Sequence, residues 1–212
     1  MEFESLLHKS QGLPVVDTKV LSVGRKDSLS LKVQISRWVK SGKLIQLKRG
    51  IYLLAEPYRK ISTQEFYLAN ILKAPSYISL EKALEYHGLI PEAVSVFTCV
   101  TTKRPEILKT PLGRFDYRHI KPSLFWGYTS LIMDGQTIFM ATAEKALLDF
   151  FYLKHAKVTS DYLIAMRLQN VENIKTTKLL EYGRRFKKKG LMQAAESIRQ
   201  YIMSASRRTK HT

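Results

Sequence analysis

Residues Ser28 to Leu54 read SLSLKVQISRWVKSGKLIQLKRGIYLL, and within this stretch the hydrophobic period changes from 3.6 to 2. Leu31, Ile35, Trp38 and Val39 fall at i, i+4, i+7 and i+8, so they share one face of a helix. Ser28 can cap its start by accepting a free backbone N–H. Ser41-Gly42 can end it, glycine being suited to the left-handed position just past a helix. Leu44-Ile45-Gln46-Leu47 and Ile51-Tyr52-Leu53-Leu54 then read as two strands joined by the cationic turn Lys48-Arg49-Gly50. A helix followed by a basic-tipped hairpin is the pattern of a winged helix-turn-helix, a module that reads DNA.

The opposite face of the helix supplies the expected contacts. Ser30, Val33, Arg37 and Lys40 lie across from the apolar stripe, Lys32 flanks them, and Lys26 and Ser28 stand at the N-terminal end. Short polar or small side chains there suit base edges, and the cations suit phosphates. Lys48 and Arg49 would reach the neighbouring backbone or minor groove as the wing. The plainer alternative is an amphipathic helix with a solvated basic face. The basic hairpin beside it favours double-stranded operator DNA as the partner.

Working outward, residues 2–10 read as a first helix that Gly12-Leu13-Pro14 breaks. Val15-Val16 can add a short strand beside the hairpin, and Asp17 caps a helix from Thr18 to Val23 that Gly24 closes. Residues 1–57 thus form a winged helix-turn-helix, with residues 56–60 as linker. Residues 58–203 form a second, mixed α+β unit. Helices open near Thr63 and Ser79, and strand-like runs at 96–101, 113–120, 125–131 and 137–140 are expected to build an antiparallel sheet. Thr142 caps the apolar helix TAEKALLDFFYLKH, and helical stretches follow around 162–168 and over 176–203, with a break at Lys189-Gly190. Residues 204–212 read as a basic, disordered tail. The fold class is α+β.

With 212 residues, 45% of them apolar and 25% charged, the chain can bury a core as a folded protein. No apolar run approaches the ~20 residues needed to span a bilayer. MEFESLLHK lacks the basic start and apolar middle of a signal peptide. The lone cysteine, Cys99, allows no intrachain disulfide, so a cytoplasmic location is expected, with no membrane partner. Net charge is +17. Residues 1–57 hold 10 Lys/Arg against 5 Asp/Glu, 58–155 hold 12 against 9, and 156–212 hold 13 against 4. Such a chain associates with polyanions or with an acidic protein surface.

Several blocks carry a family resemblance: KSGKLIQLKRGIYLL, SYISLEKALEYHGLIPEAV, FTCVTTKRP, PLGRFDYRHIKPSLFWGY and ATAEKALLDFFYL. In this order, and from about Gly12 to Arg199, they resemble the AbiEi family of antitoxins. The resemblance implies an N-terminal winged helix that binds its own promoter and represses the operon. It also implies a C-terminal domain that neutralises a co-encoded nucleotidyltransferase-like toxin, so that the pair acts in phage defence by abortive infection. The family is described as type IV, in which the two proteins need not form a stable complex. Its motifs fall on Lys48, Arg49, Gly50 and Tyr52, on Ser79, Glu81, His87 and Gly88, and on Thr101, Thr102 and Arg118-His119-Ile120-Lys121. The last block covers Glu144, Lys145, Ala146 and Asp149. Ala143 stands where the family pattern has proline, a tolerated change in a first helical turn.

Residues able to carry chemistry are few. Asp17-Thr18-Lys19 has the form of half a nuclease site, but Asp17 already caps a helix. Asp134, Glu144 and Asp149 are the other carboxylates that could hold a metal, but Asp134 with Gly135 reads as a hairpin turn, and Glu144 suits a helix N-terminus. His8, His87, His119, His155 and His211 lack zinc-ligand spacing, and no GxSxG, P-loop or GxGxxG occurs. No enzyme, metal or cofactor is therefore expected. Arg118, His119 and Lys121 at a strand end are candidates for a partner or RNA surface. In an alternating strand Arg118 and Ile120 would face one way, His119 and Lys121 the other. Arg184, Arg185, Lys187, Lys188 and Lys189 are further candidates, for an acidic toxin surface or for extra phosphates. A stand-alone winged-helix regulator with a sensing or dimerising C-terminal domain is the alternative reading, and a dimer on DNA suits either.

Overall fold

The computed structural model describes residues 2–23 and 28–209. The N-terminal unit runs α1 (Phe3–Lys9), β1 (Val16–Asp17), α2 (Thr18–Ser22), α3 (Ser28–Lys40), β2 (Leu44–Lys48) and β3 (Ile51–Leu54). β1 and β2 flank β3 in a three-stranded antiparallel sheet. Asp17 caps α2, its Oδ1 accepting from Lys19 N at 2.8 Å. Leu31, Ile35 and Trp38 of α3 are buried with Leu6, Val16, Leu44 and Leu54, while Val39 packs at the margin of this core. Phe3 packs edge-on against Tyr58 and tilts against Trp38, which fixes α1 over α3.

The hairpin is buried on both faces. Leu44 and Leu54 face α3, whereas Leu47 and Leu53 enter the core of the second unit. Within the expected linker, residues 56–60, Glu56–Tyr58 form a short 3₁₀ turn, and just beyond it Thr63 Oγ1 donates back to the Pro14 carbonyl. The boundary expected at 57/58 therefore cuts through shared apolar packing.

The second unit comprises α4 (Glu65–Ile71), β4 (Ser76–Ile78), α5 (Leu80–Tyr86), β5 (Val96–Thr101), β6 (Glu106–Thr110), β7 (Gly113–His119), β8 (Tyr128–Met133), β9 (Gln136–Ala141), α6 (Ala143–Lys154), α7 (Ser160–Ala165), α8 (Thr176–Arg185) and α9 (Lys189–Thr209). Among the described residues its strands form one sheet in the order β6-β7-β5-β4-β9-β8. The antiparallel sheet expected from the sequence is in fact mixed: β5 pairs with β7, and β4 with β9, in parallel. The parallel β5–β7 pair arises from β6, an additional strand between them in sequence that reverses the chain and pairs antiparallel with β7. α6 packs on α5 and supplies the centre of the core with Ala146, Leu147, Leu148 and Phe151.

Two C-terminal expectations also change. The helical break falls at residues 186–188, where Phe186 is buried and Lys187 has φ 53°. α9 continues into the segment expected to be a disordered tail, because its apolar stripe does not stop: Ala195, Ile198 and Ile202 are buried and Ala205 packs beside them. No helix among the described residues is long and apolar enough to cross a membrane.

Candidate nucleic-acid interface

α3 presents the face read from the sequence. Ser30, Lys32, Val33, Arg37 and Lys40 are exposed, Val33 at 49%. Ser28 is the first helical residue, but its side chain, like all of Lys26, lies outside the described residues. An open groove runs between α2, α3 and the hairpin. Lys19, Lys32, Lys40 and Arg49 line it, with Ser36 and Gln46 between them, and no carboxylate does among the described residues. None of the four cations has an ion-pair partner among the described residues. The groove is thus a strip of uncompensated positive charge with amide and hydroxyl groups beside it, the composition that suits a phosphate backbone and base edges.

Lys19, Ser36 and Gln46 were not expected here. Ser36 is one position from Arg37, on the flank of the stripe. Gln46 follows from strand alternation, since it faces the same side as Leu44 and Leu54.

Lys48 does not belong to this surface. A bulge between Gln46 and Lys48 shifts the register, so that Lys48 pairs with Ile51 and turns to the far side of the hairpin. There its Nζ donates to the Leu72 carbonyl at 3.2 Å and lies 3.5 Å from Glu106 Oε2, which also bonds Lys73. Arg49 remains exposed in the groove. Gly50 has φ 91°, and its carbonyl accepts from both Thr18 N and Thr18 Oγ1, which ties the turn to α2.

The second group of candidates is dispersed. β7 ends at His119, so alternation stops there and Ile120 is buried while Arg118 is exposed. Arg118 pairs with Asp116 at 2.8 Å, the His119 ring meets the Lys103 carbonyl at 3.0 Å, and Lys121 is exposed just beyond. Arg184, Arg185, Lys187, Lys188 and Lys189 are all exposed at the α8–α9 junction. Arg185 lies over Trp126 and Lys188 over Tyr152, at 4.2 and 4.4 Å from the ring centroids. No hydrogen bond or ion pair joins the two groups among the described residues. A cleft beside β7 also holds Arg114, Arg118 and Lys154, but Asp116 and Glu81 compensate two of these, so its charge is weaker than that of the α3 groove.

The carboxylates weighed as metal ligands each have a partner. Asp134 Oδ2 accepts from Gln64 Nε2. Glu144 accepts from Lys175 N at 3.0 Å and lies 3.4 Å from Lys178 Nζ. Burial raises the pKa of Glu144, and its hydrogen bonds together outweigh that, leaving it lowered. Asp149 is fully buried: Tyr77 Oη and Ser79 Oγ each donate to Oδ2 at 2.9 Å, and Lys145 Nζ bonds Oδ1. Tyr77, Trp126 and Phe186 surround the Lys145 ammonium. Burial pushes the Lys145 pKa down and the Asp149 pKa up. Ser79, expected as a helix start and as a position of the family motif, thus helps to clamp β4 and α5 to α6. No protein-family profile matches the sequence, and no curated protein matches it significantly.

Proposed function

We propose that this chain is a DNA-binding antitoxin and autorepressor of the AbiEi type. Its N-terminal unit acts as a winged helix-turn-helix: α3 is the recognition helix and Arg49 the wing cation. The observation that carries this reading is the groove beside α3, lined among the described residues by four cations without ion-pair partners and by no carboxylate. The order α1-β1-α2-α3-β2-β3, with β3 central in its sheet, supports it. Double-stranded operator DNA would lie along α3, phosphates on Lys19, Lys32, Lys40 and Arg49, and base edges on Ser30, Val33 and Arg37.

Neutralisation of a co-encoded nucleotidyltransferase-like toxin is assigned to the second unit on the strength of the sequence blocks it carries. The exposed cluster Arg184, Arg185, Lys187, Lys188 and Lys189 supports contact with an acidic surface. The alternative, a stand-alone regulator, is favoured by the hairpin residues Leu47 and Leu53, which join the second unit's core and couple the two halves. Growth rescue separates the two. The neighbouring gene is induced alone and together with the full-length chain, in the cytoplasm of a bacterial host. Arrest relieved by the chain supports the antitoxin; a harmless neighbour leaves the stand-alone regulator.

A further inference from the structure

The large sheet has two edge strands with opposite character. β6 carries Glu106 and Lys109 and lies between Pro105 and Pro111, the charged and prolyl residues that keep edges from pairing. β8 reads Tyr128-Thr129-Ser130-Leu131-Ile132-Met133, without a charge or a proline, and among the described residues its only sheet neighbour is β9.

The register identifies which β8 groups are free to pair. Met133 faces Gln136 across the two-residue turn Asp134-Gly135, both with positive φ, and such a closing pair exchanges both backbone hydrogen bonds. Leu131 and Thr129 therefore turn their N–H and C=O groups toward β9, and Ile132, Ser130 and Tyr128 turn theirs outward. Phe139, opposite Ser130, agrees with this phase, since its N–H and C=O both bond the Asn70 side chain on the far side of β9. Ile132 is 79% and Phe139 40% exposed.

Charge selects the occupant. The longest run without lysine or arginine in this +17 chain is residues 122–144, which contains the whole β8–β9 hairpin. Two copies that meet along this run bring none of its side chains into cation–cation contact, which favours a second copy of this strongly basic chain as the occupant.

We propose that β8 is a self-association edge, two copies pairing their β8 strands antiparallel about a two-fold axis at Ser130. Two six-stranded sheets then become one continuous sheet. Ser130 faces its counterpart and Tyr128 faces Ile132 of the second copy, each pair exchanging both backbone bonds. Ile132 leaves water to lie against a tyrosine ring, a favourable cross-strand pair. This arrangement does not depend on the DNA-binding reading.

The test is the mass of the full-length chain in solution at micromolar concentration, with two variants. The wild type is expected at twice the chain mass, and Ile132→Lys at the single-chain mass with an unchanged circular dichroism spectrum. Ser130→Cys is expected to form an intermolecular disulfide on mild oxidation. A hydrogen-bonded pair sets Cα atoms ~5.5 Å apart, within disulfide reach, and the native Cys99 is buried. A monomeric wild type overturns the proposal. So does a dimer that survives Ile132→Lys and leaves Ser130→Cys uncrosslinked, since that dimer uses another surface.

Discussion

Lys48 and Glu106 meet across the junction of the two units, Nζ 3.5 Å from Oε2, so a residue of the hairpin is held by the edge strand of the large sheet. Lys73 binds the same carboxylate, and its hydrogen bond is the main reason that the Glu106 pKa is lowered from 4.5. A carboxylate lowered in the folded state stabilises above its unfolded pKa and loses that contribution as pH falls through the folded value. Glu106→Gln should therefore cost about 0.5–1 kcal/mol near neutrality, the scale of a partly exposed ion pair. The difference in thermal stability from wild type should shrink as pH falls below 4.5 and vanish once pH is below the lowered folded value. A difference that grows in acid would contradict this sign.

The same bulge separates two adjacent cations by role. Arg49→Ala should weaken binding to all duplexes and lower the salt slope by about 1, whereas Lys48→Ala should change neither. Fluorescence anisotropy at several salt concentrations makes the comparison. Equal losses in the two variants would return Lys48 to the interface.

The Lys145–Asp149 pair predicts an asymmetry. Asp149→Ala leaves a buried ammonium without its carboxylate and should cost about 3–5 kcal/mol. Lys145→Met should cost less, because Asp149 keeps the Tyr77 and Ser79 donors and can take up a proton. Its pKa is raised by burial, so the folded state binds that proton where the unfolded chain does not. The loss in Lys145→Met should therefore shrink as pH falls toward 3.8. Urea unfolding of both variants across this range decides it.

Gly183→Ala tests the packing of α8 on α9. A Cβ at this position would stand 2.8 Å from Ala195 Cβ. Overpacking of about 1–3 kcal/mol should outweigh the helix-propensity gain of about 1 kcal/mol. The variant should melt lower than wild type, and a higher melting temperature would show that the two helices separate freely.

Elements that announce themselves locally are legible in the sequence. The change of period at Gly42 located α3 and the hairpin, Asp17 marked the start of α2, and Asp134-Gly135 marked the β8–β9 turn. What escaped depends on distant partners. β4 has three residues, and β6 carries charges suited to an edge, so neither shows a clear alternating run. Without β6, the parallel pairing of β5 and β7 could not be inferred. Lys145 resembles a surface lysine in a first helical turn until Tyr77 and Phe186, far away in sequence, close around it. The bulge that diverts Lys48 leaves no mark in the pattern LIQLKRG, and in the candidate interface only Lys48 is moved by it.

The measurement that bears most directly on the function is a titration of the full-length chain with the duplex upstream of its own gene and with an unrelated duplex of equal length. Wild type and Arg37→Ala are compared from low to moderate salt. The wild type should bind the upstream duplex more tightly, with affinity falling about 10³–10⁵-fold from 50 to 200 mM salt if about six to ten phosphates are contacted. Arg37→Ala should erase most of the preference between the duplexes while keeping the salt dependence. Salt-insensitive binding, or equal affinity of the wild type for both duplexes, would contradict α3 as a recognition helix.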